Sequence, residues 1–162
     1  MLQSKLLIAL GIIFLLLVIL YFLGRKSVHH EIMIDASPEK VWMVLLDTDS
    51  YDDWNPVMKV LEGEVKEGNR VRYRFTQDAE NSSEIPSMVK KVIPNQLLNQ
   101  GGGMPIVLTF DHKYILESMD NGTKLTIHED YVGLYVNFWN PDPVGAAYGR
   151  LCEAIKNRVE GL

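Results

Sequence analysis

Four side chains with polar tips lie within two largely apolar stretches of the chain. They are His112, Tyr114, Glu129 and Tyr131. A histidine beside a carboxylate in a desolvated pocket is a usual general-base arrangement. The same groups can instead orient the polar end of a ligand. They can also form a purely structural hydrogen-bonded network, or lie at a strand end in solvent. All of these interpretations stay open at the level of sequence.

A predicted β-hairpin carries the four residues. Residues 106–117 and 123–131 read as two strands joined through Asp120-Asn121-Gly122, and Asn-Gly is favoured in tight two-residue hairpin loops. Alternate residues of a strand share one face of the sheet. We expect one face of each strand to point inward. On the first strand this face comprises Ile106, Leu108, Phe110, His112, Tyr114 and Leu116, and on the second strand it comprises Leu125, Ile127, Glu129 and Tyr131.

The turn also predicts a register for this hairpin. With Asn121-Gly122 as the loop, Tyr114 lies opposite Glu129, and His112 lies opposite Tyr131. His112 and Glu129 are then diagonal neighbours, a separation that long side chains can bridge. The sequence therefore allows a His112–Glu129 pair.

The segment before the hairpin predicts one short strand and two helical pieces. Residues 28–34 read as the strand. Ser37 can cap a helix over residues 38–46, because Pro38 at the first helical position loses no helical hydrogen bond. A second helical turn is expected before Asn55-Pro56, where a proline ends it.

The middle of the chain predicts antiparallel strands. Val71, Tyr73 and Phe75 alternate with three arginines, a pattern typical of a half-buried strand. We expect a polar loop over residues 78–84 and further strands over 87–93 and 96–100.

A glycine triplet and a long helix follow. Gly101-Gly102-Gly103 lacks the Lys and Ser/Thr that a phosphate-binding loop requires, so it predicts a turn or bulge. Pro141 and Pro143 open the final helix. Its apolar face is expected to comprise Val144, Tyr148, Leu151, Ile155 and Val159.

The N-terminus predicts a membrane anchor. Residues 6–23 form an uncharged apolar run, and a helix of that length covers about 27 Å, close to the thickness of the bilayer hydrocarbon. A cleaved signal peptide and a buried core helix are the alternatives, but no small-residue cleavage site follows the run. We expect an anchor over residues 1–26 and a domain over 27–162. Two basic residues after the span, against one before it, favour a single-pass protein with its domain on the cytoplasmic side.

Charge and cysteine content exclude several classes of function. Residues 27–162 carry 13 basic and 21 acidic side chains, a formal charge of −8, which disfavours nucleic acid as a partner. Cys152 is the lone cysteine, so we expect neither an intrachain disulfide nor a thiolate metal site. His29 and His30 point to opposite faces of a strand and cannot share a metal. We expect no metal and no cofactor.

The order of elements and several motifs resemble the START-like helix-grip superfamily, also called SRPBCC, of polyketide cyclase/dehydrase and lipid-transport type. The matching positions are residues 34–42 (IDASPEKVW), then Asp47, Tyr51 and Trp54-Asn55-Pro56, and later residues 123–134. The resemblance implies an α+β fold in which a curved antiparallel sheet wraps around a long C-terminal helix, with a cavity between them. Members with an N-terminal membrane helix are a familiar variant.

These features together predict a membrane-tethered domain that binds a small hydrophobic molecule or lipid and has no chemistry of its own. A cavity with apolar walls and a few polar groups suits such a ligand. One alternative is a cyclase- or hydratase-type enzyme using His112 and Glu129. Another is a protein-interaction module whose cavity is filled by its own side chains. The predicted cavity residues are Tyr73, Phe75, Phe110, His112, Tyr114, Ile127, Glu129, Tyr131 and Tyr148.

Overall fold

The computed structural model describes residues 2–162, so the first residue of the expected anchor lies outside the described range. The elements in chain order are α1 (Leu2–Leu23), β1 (Arg25–Ile34), α2 (Pro38–Leu46), α3 (Tyr51–Trp54), β2 (Met58–Glu62), β3 (Arg70–Thr76), β4 (Ser82–Ile93), β5 (Leu97–Met104), β6 (Leu108–Met119), β7 (Gly122–Val132) and α4 (Asp142–Glu160). Short 3₁₀ turns lie at Thr48–Ser50 and Leu134–Asn137.

The strands form one curved antiparallel sheet of seven, in the order β1-β7-β6-β5-β4-β3-β2. Helix α4 packs against β1 and α2, and its predicted apolar face is buried against the sheet. The face forms because apolar residues recur at helical spacing, and burying them stabilises the helix. This arrangement confirms the predicted α+β helix-grip fold.

The predicted register of the β6–β7 hairpin is wrong by two residues. Met119 pairs with Gly122, so the loop is Asp120-Asn121. Gly122 has φ +128°, and a Cβ there would lie 2.2 Å from the carbonyl oxygen of Ile34. The positive φ that favours glycine therefore occurs at the first residue after the loop rather than inside the loop. Because side-chain orientation repeats every two residues, the shift leaves the paired side chains of β6 and β7 on their predicted faces.

The glycine triplet is part of a strand, which corrects the predicted turn or bulge. Gly101 and Gly102 pair with both β4 and β6. A Cβ at Gly102 would lie 2.5 Å from the Pro86 carbonyl oxygen, so close packing of neighbouring backbones requires glycine there. Gly103 alone of the three has a positive φ, +99°.

Three further expectations need correction. Strand β4 begins at Ser82 and takes in part of the predicted 78–84 loop. Ser37 lies at the N-cap of α2, but its side chain makes no capping hydrogen bond. Ile106 does not share the inward face of β6: it lies in the exposed β5–β6 turn at φ +71°.

The apolar helix α1 extends away from the sheet. No residue of the stretch Lys5–Leu23 is buried, and its length and composition suit a membrane span as well as a signal sequence. Only Gly24 separates α1 from β1. The Asn137 side chain donates a hydrogen bond to the Leu20 carbonyl oxygen at 2.8 Å, which ties the last turn of α1 to the 3₁₀ turn after β7.

Candidate functional site

A cavity of about 540 Å³ lies between the sheet and the first turns of α4. Apolar side chains make up most of its wall. Its lining comprises Phe75, Gln77, Ser83, Glu84, Ile85, Pro86, Gly103, Met104, Leu108, Phe110, Glu129, Tyr131, Trp139, Val144 and Tyr148.

The cavity opens at the end of the domain that α1 joins. Its lining comes from the end of β3, the start of β4, the β5–β6 turn and the segment between β7 and α4. Arg25, the first residue of β1, pairs with Val132 at that same end of the sheet. Antiparallel topology thus brings the mouth of the cavity close to the end of α1.

A buried polar cluster at the deep end of the cavity centres on one oxygen of Glu129. Tyr131 Oη donates to Glu129 Oε2 at 2.6 Å, and Tyr148 Oη also donates to Oε2. His112 lies directly opposite Glu129 across the β6–β7 ladder. Its Nδ1 is 3.7 Å from Oε2 and 3.2 Å from Tyr148 Oη. All three neighbours approach Oε2, and within the described residues Oε1 accepts no hydrogen bond.

The surroundings of Glu129 favour its charged form. Burial opposes ionisation, but interactions with His112 and with the hydroxyls of Tyr131 and Tyr148 outweigh it, so the pKa of Glu129 lies below its ordinary value of 4.5. Burial and the Glu129 charge raise the pKa of Tyr148 and of Tyr131 well above the usual range. The cluster is therefore a carboxylate held by two neutral phenols.

One buried polar atom in the cluster has no partner. His112 Nε2 makes no hydrogen bond with any described residue, although the imidazole ring packs edge-on against the rings of Tyr114 and Tyr148. Unsatisfied buried polar atoms are rare and often mark a ligand or water site. The Nδ1 contact with Tyr148 fixes the ring orientation and leaves Nε2 without a partner.

A small inner pocket adjoins the cavity beside His112. Its volume is about 40 Å³, which is room for about one water molecule. Tyr73 and Gln100 form one wall, where Tyr73 Oη donates to Gln100 Oε1 at 2.7 Å. Glu129 and Tyr148 line both spaces, so the polar groups lie where the cavity narrows.

The sequence matches the polyketide cyclase / dehydrase and lipid transport family over residues 25–160. The chain belongs to this family. The match includes every strand and helices α2 to α4, and only α1 precedes it. A search among curated proteins finds no match.

Solved structures share the fold of the family at low sequence identity. A protein of unknown function from Staphylococcus aureus, SA2116, is 16% identical, with TM-score 0.66 over 85% of this chain and 94% of its own. Protein MLL2253 from Mesorhizobium loti is 20% identical, with TM-score 0.61 over 84% of this chain and 98% of its own. The di-domain ARO/CYC protein BexL from the BE-7585A biosynthetic pathway is 12% identical, with TM-score 0.69 over 84% of this chain and 50% of its own.

In this family member, most of the predicted cavity residues line the two spaces. Phe75, Phe110, Glu129, Tyr131 and Tyr148 line the cavity, and Tyr73 and His112 line the inner pocket. Tyr114 and Ile127 are buried in the core beside the cluster. Neither is among the residues 2–162 that line these two spaces.

Several lining residues were not predicted from the sequence. Ile85 and Pro86 lie in β4, between the loop predicted over residues 78–84 and the strand predicted from residue 87. Gln100 lies two residues after the buried Leu98 on β5, so strand alternation could have identified it. Trp139 lines the mouth and packs edge-on against Tyr131, with 4.6 Å between ring centroids.

Other side chains that could bind a metal or act as a nucleophile lie outside the site. No group of three or more metal-ligating side chains is present in residues 2–162. His128 lies on the outer face of the sheet, with Nε2 3.1 Å from Asp130. Cys152 is fully buried, and burial raises the pKa of its thiol to about 12, so it is a poor nucleophile.

Proposed function

We propose that this protein is a membrane-tethered domain that binds a small hydrophobic molecule or lipid in the cavity between the sheet and α4. The observation that carries the proposal is a cavity of about 540 Å³ with mostly apolar walls and a buried cluster of polar groups at its deep end. Ligand sites of proteins combine these features at this size.

The lining favours an elongated ligand with one polar end. Phe75, Leu108, Phe110 and Val144 offer apolar contact, and burying an apolar chain there removes its surface from water. The polar end of the ligand meets the Glu129 cluster. An interaction module filled by its own side chains would have no cavity of this size, so the open space supports binding.

Mass spectrometry of the full chain, purified in mild detergent, tests the binding proposal. The expected result is a stoichiometric small molecule that is released on denaturation. A delipidated sample should take the molecule up again. If the protein is free of ligand after gentle extraction and takes up no hydrophobic probe, the proposal fails.

The tether is the second part of the proposal, and the exposed apolar helix α1 supports it. The full chain should remain in the membrane pellet after a carbonate wash. Release into the supernatant, or an N-terminus cleaved near Gly24, would contradict the tether.

We also propose that the domain lies on the cytoplasmic side, because two basic residues follow α1 and one precedes its apolar run. A cysteine at Glu80, placed in the exposed β3–β4 loop of a Cys152→Ser background, should resist an impermeant maleimide in intact cells. Ready labelling would place the domain outside.

A second candidate function is acid/base catalysis on the bound molecule. The pairing of His112 with Glu129, with His112 Nε2 free of a partner, favours it. Here His112→Gln should lower turnover of a bound molecule by about a hundredfold while leaving its binding intact. An unchanged molecule recovered from both proteins favours binding alone.

A further inference from the structure

The hydrogen bonds around Glu129 define what kind of polar group can complete the site. Both tyrosine hydroxyls use their single hydrogen on Glu129 Oε2. A phenol has one hydrogen to donate, and its oxygen lone pairs remain able to accept. Tyr131 Oη and Glu129 Oε1 can therefore each accept a hydrogen bond from a ligand, and neither can donate one.

His112 lies behind Glu129, in the wall of the inner pocket rather than of the cavity itself. Because Tyr148 Oη gives its hydrogen to Glu129, His112 Nδ1 donates to Tyr148 Oη across 3.2 Å. The hydrogen on Nδ1 is therefore also used inside the cluster and is not offered to a ligand in the cavity.

The charged residues that line the cavity also favour a ligand that donates a hydrogen bond. Among the described residues that line it, two are glutamates and none is Lys or Arg. Arg72 donates to Glu84 at 2.8 Å from the outer face of the sheet and so neutralises the glutamate at the mouth. The negative charge of Glu129 remains, and it would repel the carboxylate of a ligand placed beside it in a low-dielectric site.

We propose that the ligand presents a hydrogen-bond donor to Glu129, as an uncharged or cationic amphiphile with a hydroxyl or amine head does, and that fatty acids of equal chain length are excluded. This inference rests on the proposed function, because it names the class of ligand that the same cavity takes.

Retention of three probes by the delipidated full chain at pH 8 tests the inference. The probes are a saturated long-chain alcohol, the amine and the fatty acid of equal length, each quantified after repurification. We expect the alcohol and amine to be retained about tenfold better than the acid, a difference of about 1.4 kcal/mol. Equal or better retention of the acid overturns the inference while leaving hydrophobic binding intact. If no probe is retained, the proposed function itself fails.

A matched pair of variants locates the discrimination. Glu129→Gln removes the negative charge and adds an amide donor, so the preference against the acid should fall. Asp130→Asn changes the next residue, which points to the outer face, and should leave the preference unchanged. The same loss in both variants would mean that overall charge, rather than Glu129, sets the selectivity, and would overturn the assignment.

A separate observation concerns the outside of the cavity mouth. Among residues 24–162, nine large apolar side chains are exposed, and five of them lie at the end of the domain that α1 joins. These five form what we call the apolar rim: Met104, Ile106, Val107, Tyr135 and Phe138, the last 76% exposed. Two backbone hydrogen bonds join the rim's two segments, from Leu134 N to Ile106 O at 2.8 Å and from Tyr135 N to Val107 O at 2.9 Å.

The position of the rim relative to α1 identifies what it contacts. Asn137 bonds to the Leu20 carbonyl, so the rim lies beside the last turn of α1. Because the apolar run of α1 ends at Leu23, a bilayer around α1 has its interface at this level. Aromatic side chains and adjacent basic residues such as Arg25 suit that interface. The acidic β3–β4 loop, with Asp78 and Glu80, borders the same mouth, but it joins two strands on the side of the sheet away from β1.

From this geometry we infer that the apolar rim inserts into the bilayer interface and holds the cavity mouth against the membrane, so that a ligand passes between them without crossing water. The inference rests on the tether in the proposed function. It does not depend on the class of ligand.

Depth measurements on the full chain in lipid nanodiscs test this second inference. A fluorophore is attached to a single cysteine at Phe138, at Asn121 or at Leu15, each in a Cys152→Ala background, and spin-labelled lipids serve as quenchers. Asn121 lies in the β6–β7 loop, at the far end of the twelve-residue strand β6, about 35 Å from the mouth. We expect quenching at Phe138 and Leu15 and none at Asn121.

The three positions separate the possible failures. Quenching at Leu15 without quenching at Phe138 overturns the rim contact and leaves the tether in place. No quenching at Leu15 means that α1 is not in the bilayer, and the tether itself fails. Quenching at Asn121 equal to that at Phe138 also overturns the inference, because it shows no preferred face.

Discussion

The two faces of the β6–β7 hairpin carry the same kinds of charged group in opposite circumstances. On the inner face, His112 and Glu129 oppose each other, and both are more than nine-tenths buried. On the outer face, Lys113 lies 2.8 Å from Asp111 and 3.6 Å from Asp130, and all three side chains are partly exposed. The two faces differ in burial rather than in the presence of charged residues. If a charged group on the outer face loses its partner, water can solvate it, whereas a group on the inner face is left without any partner.

The acidic groups on the two faces differ in the same way. Partial burial opposes ionisation of Asp111, but Lys113, Lys90 and Asn99 outweigh it and hold its pKa well below the usual range. Glu129 reaches a lowered pKa without any Lys or Arg among its partners, through His112 and two hydroxyls. Lysines on the outer face can reorient into solvent, whereas the inner groups are fixed by packing.

The largest effect is expected from His112→Leu. The substitution removes the imidazole partner of a buried carboxylate and should lower the free energy of unfolding by about 2–3 kcal/mol. Adding Glu129→Gln should recover part of that loss, which a double-mutant cycle in urea measures as coupling of about 1 kcal/mol or more. Strictly additive effects would contradict a coupled inner pair.

Tyr131→Phe should have a smaller effect. It deletes one donor to Glu129 Oε2 and leaves Tyr148 in place, so the expected loss is about 1.5 kcal/mol. Chemical denaturation of the variant beside Tyr135→Phe, an exposed control on the apolar rim, measures it. A loss no greater than that of the control would mean that the inner hydroxyl contributes nothing.

The inner carboxylate also predicts a pH dependence. Because the pKa of Glu129 is lower in the folded protein than its ordinary value of 4.5, its contribution to stability is fully present above that value. The contribution is lost as the pH falls through the folded pKa. Stability curves of wild type and Glu129→Gln should therefore converge as the pH drops from 6 towards 3, a range set around that ordinary value. Parallel curves over this range would contradict the assignment.

The smallest effect is expected from Asp130→Asn on the outer face. Exposed ion pairs contribute about 0–1 kcal/mol and are screened by salt. The variant should unfold within about 0.5 kcal/mol of wild type, and the difference should shrink further in high salt. A loss as large as that of His112→Leu would erase the contrast between the faces.

Alternation was enough to assign residues to faces, since Val71, Tyr73 and Phe75 on β3 are buried as predicted. The same rule assigned Glu129 and Tyr131 to the inner face despite a wrong register, because the error was two residues. Asn-Gly predicted a turn correctly and its loop residues incorrectly. The positive φ that the turn requires lies on Gly122, after the loop, where the chain also passes close to Ile34.

Other parts of the site depend on contacts that a sequence pattern does not reveal. Pro86 lies within β4 although a proline has no N–H to donate, and the pairing of β4 with β5 begins only at Ser87, so the missing N–H takes no bond from that ladder. The glycine triplet belongs to a strand because backbones of neighbouring strands approach closely there. The convergence of Tyr131 and Tyr148 on a single oxygen depends on how α4 crosses the sheet.

Occupancy of the cavity tests the central claim most directly. Leu108 points into the cavity, whereas Thr109 is the next residue on the opposite face of β6. Full chains carrying Leu108→Trp or Thr109→Trp are extracted in the same detergent, and the small molecules they release on denaturation are quantified beside those of wild type. We expect Leu108→Trp to fill the space and lose the bound molecule, while Thr109→Trp retains it at the wild-type level. Equal amounts in all three folded proteins would contradict binding in this cavity.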